Sequence, residues 1–94
     1  MILRLVKMHF RSEETEDFLN YFETIKETIQ GMPGILNLKL YQDANDKNIV
    51  FTHSTWLNEQ SIEQYKASKE FAEIWPKTKA LFATKPMAWS LKLK

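Results

Sequence analysis

The side chains best suited to chemistry gather on and after one stretch, Ile49–Trp56, which reads IVFTHSTW. His53 carries an imidazole that can act as a general base near neutral pH or hydrogen-bond a phenolic group. Trp56, Tyr65, Phe71 and Trp75 belong to this stretch and the helical sequence after it. Flat aromatic walls suit a flat ring ligand, by stacking and by excluding water. Asn37 and Tyr41 share a face of an earlier strand, where they could orient a ligand or serve as polar contacts between subunits. Each of these residues also has a plainer reading. His53 fits a core or interface histidine satisfied by a neighbour, and the aromatics fit an ordinary core. His9, near the end of an outer strand, has a weaker case for the same chemistry.

Other chemistries are excluded by the same inventory. The two histidines stand at neither HxH nor HxxxH spacing, so no metal site is expected. Two glycines in the whole chain cannot form a phosphate-cradling loop or a dinucleotide fingerprint. There is no cysteine, which removes disulfides, thiolate nucleophiles and thiolate metal sites, and fits a reducing cytoplasm. Thirteen basic and twelve acidic residues are interleaved, with a net charge of +1 and no basic stripe, so nucleic acid is not an expected partner. The acidic cluster Glu13–Asp17 reads as a solvated helix start. The opening MILRLVKMHF is too short and too interrupted by charge for a signal peptide. No apolar run approaches the roughly 20 residues that span a bilayer, so a cytoplasmic location without a membrane partner is expected.

These side chains need a scaffold, and the hydrophobic pattern supplies one. At 94 residues the chain is a single domain, 1–94. Ile2–Phe10 alternates as a first strand, with Arg4 on the same face as Ile2, Val6, Met8 and Phe10. Ser12 is placed as the N-cap of a helix, followed by carboxylates that complement its dipole. Phe18, Phe22, Ile25 and Ile29 then recur at helical spacing until Gly31 and Pro33 stop it. Ile35–Gln42 is a second strand, with Leu36, Leu38 and Leu40 on one face and Ile35, Asn37, Lys39 and Tyr41 on the other. The polar turn DANDKN, Asp43–Asn48, joins it in a hairpin to the third strand, Ile49–Trp56. In that strand alternation sets Ile49, Phe51, His53 and Thr55 against Val50, Thr52, Ser54 and Trp56. Neither set is charged, so both faces are expected to be covered, one by helices and one by something else.

Asn58 is placed as the N-cap of a short helix with Ile62 and Tyr65, and Ser68 as the cap of the next. Phe71, Ile74, Trp75, Thr78, Leu81 and Phe82 keep helical spacing, and Pro76 predicts a kink or a restart. Met87, Trp89, Leu91 and Leu93 alternate in a fourth strand. The order strand, helix, strand, strand, helices, strand is the split βαβ, ferredoxin-like pattern of an α+β fold. A domain this small buries a modest share of its surface, so a dimer interface would help its stability.

With these residues in place, the chain resembles the antibiotic biosynthesis monooxygenase family, within the dimeric α/β-barrel superfamily. The resemblance covers nearly the whole chain. It is carried by the opening strand, the PGI turn at Pro33–Ile35, HSTW at His53–Trp56, NEQSIEQY at Asn58–Tyr65 and SKEF at Ser68–Phe71. It implies a homodimer in which two four-stranded sheets meet as a barrel with the helices outside, and a pocket between sheet and helices in each subunit. The family is functionally diverse and includes cofactor-independent oxygenases of phenolic substrates and haem-degrading enzymes. The haem-degrading branch uses an asparagine on the first strand, a tryptophan ending the third, and a histidine on the following helix as iron ligand. The aligned positions here are Val6, Trp56 and Trp75, so two of the three are absent and haem degradation by that route is not expected.

Two functions stay open at this point. One is a monooxygenase without a cofactor, acting on a small phenol or quinol, with His53 as base or hydrogen-bond partner. Trp56, Trp75, Tyr65 and Phe71 would be its walls, and Asn37 or Tyr41 a second polar contact. The other is a non-catalytic module of the same dimeric fold that binds a small molecule or serves in a stress response.

Overall fold

A computed structural model describes residues 1–94. Its elements in chain order are β1 (Ile2–His9), α1 (Thr15–Gln30), β2 (Ile35–Gln42), β3 (Ile49–Trp56), α2 (Glu59–Lys66), α3 (Lys69–Lys79) and β4 (Met87–Leu91). The four strands form one antiparallel sheet in the order β2-β3-β1-β4. This is the expected ferredoxin-like α+β arrangement. Both ends of β3 lie deep in the sheet because its neighbours β1 and β2 pair along nearly its full length.

The helices cover one face, and the core sits under them. Met8 and Phe10 from β1 and its end, Phe18 and Phe22 from α1, and Val50 from β3 form one buried cluster. Ile2, Trp56 and Ile62 form a second at the other end of the sheet. Full burial of such a side chain stabilises the fold by about 1.5–3 kcal/mol relative to exposure. The α1 stripe read from the sequence is the buried one, through Phe18, Phe22 and Ile29.

Local signals settle differently at four points. Ser12 does not cap α1. Residues 12–14 form a turn, Glu14 takes the N-cap position without a side-chain bond, and the Ser12 hydroxyl goes to the Glu13 carboxylate at 3.4 Å. The helix start is tied down instead by Thr15, whose hydroxyl donates to Asn48 Oδ1 at 2.7 Å. Asn58 and Ser68 do cap α2 and α3, accepting from the backbone N–H of Ser61 and Phe71.

Pro76 does not restart the helix: α3 runs unbroken from Lys69 to Lys79 with the proline inside it. The bond that proline removes would have gone to the carbonyl of Ala72. Both residues are exposed, so water can take that carbonyl. On the buried side, Thr78 donates from its hydroxyl to the Ile74 carbonyl at 2.9 Å.

In β2 a bulge falls between Ile35 and Asn37: Ile35 pairs with Trp56, and Asn37 with Thr55. The extra residue shifts the phase of the strand. Ile35 therefore packs with Trp56 in the core rather than lying with Asn37, and Leu36 is pushed out to half exposure. Just before the bulge, Gly34 has φ +86°, and a Cβ there would fall 2.1 Å from Ser61 Oγ, so only glycine lets the turn sit against α2.

The fourth difference is the length of the last strand. It ends at Leu91, and Leu93 is fully exposed.

Candidate functional site

Between the helix-facing side of the sheet and the helices lies a cavity of 310 Å³. Strand alternation chooses what reaches it. From β3 come Thr52, Ser54 and Trp56, and from β1 come Arg4, Val6 and Met8. Helix α1 adds Phe18 and Phe22, while α2 and α3 add Tyr65, Phe71, Ile74 and Trp75.

Trp56 anchors the wall. It is 2% exposed, and its indole Nε1 donates to Ser54 Oγ at 2.9 Å. Ser54 in turn points its hydroxyl at the carbonyl of Arg4, 3.5 Å away. Tyr65 stacks on Trp56 with ring centroids 5.5 Å apart and an interplanar angle of 28°. Phe71 meets Tyr65 edge-on at 5.1 Å and stacks on Trp75 at 5.7 Å and 14°. Beyond Trp75, ring contacts continue through Phe82, Phe10, Phe18 and Phe22. Such offset and edge contacts are the arrangements aromatic rings prefer.

Burial pushes the Tyr65 phenol up to about 12, with nearby Tyr21 adding to the shift. The group is therefore a hydrogen-bond donor at neutral pH and not a base. No carboxylate or imidazole lines the cavity. No group of three metal-ligating side chains forms anywhere in the chain, and no helix is long and apolar enough to cross a membrane.

The residues singled out from the sequence divide between two faces. Trp56, Tyr65, Phe71 and Trp75 come together in the cavity. His53, Asn37 and Tyr41 do not, because they occupy the opposite phase of β3 and β2 and lie on the face the helices leave open. No bulge interrupts β3 between His53 and Trp56, so the two cannot share one pocket within the chain. On the open face the Tyr41 ring meets the His53 ring edge-on at 6.0 Å. The His53 Nδ1 is buried and has no hydrogen-bond partner. His9 lies outside the cavity too, with Nδ1 3.4 Å from the Thr84 hydroxyl.

Five polar lining residues, Arg4, Thr52, Ser54, Lys66 and Thr78, are not among the sequence candidates, and the three on the strands are the ones a pattern marks. The signal for those three was the alternation itself, which sets Thr52 and Ser54 beside Trp56 and places Arg4 among the apolar residues of β1.

The fold is shared widely. A solved structure described as an antibiotic biosynthesis monooxygenase superposes with a TM-score of 0.92 at 15% identity, covering 100% of this chain and 99% of that one. A conserved protein from Methanosarcina mazei Go1 gives 0.92 at 22% identity, with 100% and 94% covered. Rv0793 from Mycobacterium tuberculosis gives 0.89 at 9% identity, with 99% and 94% covered. At these identities the likeness is one of fold. No curated protein matches the chain. The family model described as antibiotic biosynthesis monooxygenase matches residues 1–76. The chain belongs to the antibiotic biosynthesis monooxygenase family.

Proposed function

We propose that the protein is a monooxygenase without a resident cofactor, acting on a small phenol or quinol held in the aromatic cavity. The observation that carries this reading is the cavity: 310 Å³, walled by Trp56, Tyr65, Phe71 and Trp75, in a chain of a monooxygenase family. An electron-rich ring, once deprotonated, can reduce dioxygen itself. In the keto tautomer of the phenol a ring CH2 becomes a carbonyl, one oxygen atom is retained, the other leaves as water with the two hydrogens of that carbon, and the substrate supplies all four electrons. The protein's share is orientation and exclusion of water. His53 is not the base of this cavity, because it lies on the other face of the sheet.

We further infer that a second copy of the chain covers the open face. Tyr41, Trp89 and Leu91 are 39–50% exposed there, and the Tyr41 ring lies against His53, whose Nδ1 has no partner. His53, Asn37 and Tyr41 are then contacts between subunits. The absence of cysteine accords with a cytoplasmic location.

Oxygen uptake tests the catalytic reading. Purified protein with anthrone or a dihydroxynaphthalene should consume oxygen faster than a protein-free control, and Trp75→Ala should lose most of that rate. The absence of carboxylate and imidazole from the cavity favours a second reading, a binding module. Ligand-induced thermal stabilisation without oxygen uptake would establish that reading and exclude the first.

A further inference from the structure

Arg4 is the only charged strand residue on the helix-facing side of the sheet. In the cross-strand register it stands between Ser54 on β3 and Ser90 on β4. Its Nη1 donates to Ser90 Oγ at 3.0 Å, and it forms no ion pair. None of the 21 residues lining the cavity is acidic. The other charged lining residue, Lys66, already has the Glu63 carboxylate 3.6 Å from its ammonium. Arg4 is thus a half-buried cation without a counter-ion at the rim of a largely apolar cavity, where its bond to Ser90 is exposed and water hydrates the guanidinium until an anionic ligand takes its place.

A guanidinium offers five N–H donors in a planar fork. That fork matches a carboxylate or another anionic oxygen better than any other side chain does. Trp56 is the diagonal cross-strand neighbour of Arg4 on the same face, at a spacing of roughly 7–8 Å. That is a backbone spacing, and the Arg4 guanidinium itself turns toward Ser90 on β4. The cavity, at 310 Å³, has room for a fused two-ring system. A ring held against Tyr65 and Trp75, which line the same cavity, would present an oxygen substituent to Arg4.

We propose that Arg4, steadied by Ser90, is an anion-binding subsite for an oxygen substituent, carboxylate or phenolate, on a flat two-ring aromatic ligand. This rests on reading the cavity as a ring-binding site and adds the charge the ring must carry.

The test titrates 2-naphthoate, 2-naphthol and the neutral 2-naphthamide into wild type, Arg4→Gln and Arg4→Lys by calorimetry. Bound 2-naphthol is also followed by its phenolate absorbance as pH rises. Wild type should bind naphthoate roughly tenfold or more tighter than naphthamide, as expected for a charge-assisted hydrogen bond. Arg4→Gln should erase that preference and leave naphthamide affinity unchanged. Arg4→Lys should keep part of it, since the charge remains and the fork is lost. If bound 2-naphthol ionises at lower pH in wild type than in Arg4→Gln, phenolate is a ligand as well. If only the naphthoate preference appears, the ligand is a carboxylate. Equal binding of naphthoate and naphthamide by wild type, with no shift for naphthol, overturns the subsite and leaves the ring-binding reading standing. Binding of none of the three overturns both. The wild-type comparison decides the matter even if Arg4→Gln fails to fold.

Discussion

The two faces of the sheet are built from the same strands, yet they handle polar groups in opposite ways. On the helix-covered face, the buried Trp56 indole and Ser54 hydroxyl satisfy each other at 2.9 Å. On the open face, His53 keeps a buried nitrogen with no partner, and Tyr41 and Trp89 remain partly in water. The buried Trp56–Ser54 pair of the first face is complete within one chain. The second face has the composition of an interior without its other half. Aromatic residues on the covered face therefore describe a cavity, while those on the open face are the ones we propose as a contact. His53 and Trp56, three positions apart, belong to different problems.

The sharpest test of that contrast is to remove the anchor of the covered face. Trp56→Ala should destabilise the protein by about 3–5 kcal/mol, the usual range for deleting a buried aromatic. Urea unfolding would measure it, and a loss below about 1 kcal/mol would mean the indole is not the anchor described. One chemical change placed on each face comes next. Leu38→Asp buries an unpaired charge beside the core and should cost about 3 kcal/mol or more. Leu5→Asp faces the open side and should leave the chain folded by circular dichroism; if the dimer we propose forms, light scattering of the wild type should give dimer mass and of this variant monomer mass. If the two variants behave alike, the faces are not distinct in the way drawn here.

A smaller effect should appear with pH. The unfolded Tyr65 phenol ionises near 10, and the folded one near 12. Below pH 10 both states are protonated and stability is complete. Between pH 10 and about 12 the unfolded chain loses the proton first, so stability falls with rising pH, by on the order of 2 kcal/mol over the window. Tyr65→Phe should flatten that slope, and an unchanged slope would show that the phenol is not shielded. The least effect is expected from Ser54→Ala, which leaves the Trp56 N–H without its acceptor, at about 1–2 kcal/mol.

Much of this was legible in the residues, for reasons that also mark where legibility ended. The α1 stripe was readable because Phe18, Phe22, Ile25 and Ile29 repeat with the period of the helix. The β2 bulge was not, because Ile35 and Leu36 are adjacent and both apolar, so alternation has no phase to show there. The continuity of α3 through Pro76 was not legible, because a proline rule weighs the lost backbone bond, not which side of the helix faces water. At the site, residue type drew attention to His53, whereas strand phase pointed to Thr52, Ser54 and Arg4. Type tells what chemistry a side chain can do, and phase tells where it can do it.

The three tryptophans divide the molecule in a useful way. Trp56 is sealed in the core, Trp75 borders the cavity, and Trp89 stands on the open face. Indole emission shifts to longer wavelengths as water approaches, so each ring is a native optical reporter for one region. A variant that keeps only Trp75 should change colour when a ring ligand enters. One that keeps only Trp89 should do so when a second copy docks. Folding, ligand entry and the proposed self-association could then be watched separately in single-tryptophan variants without a label.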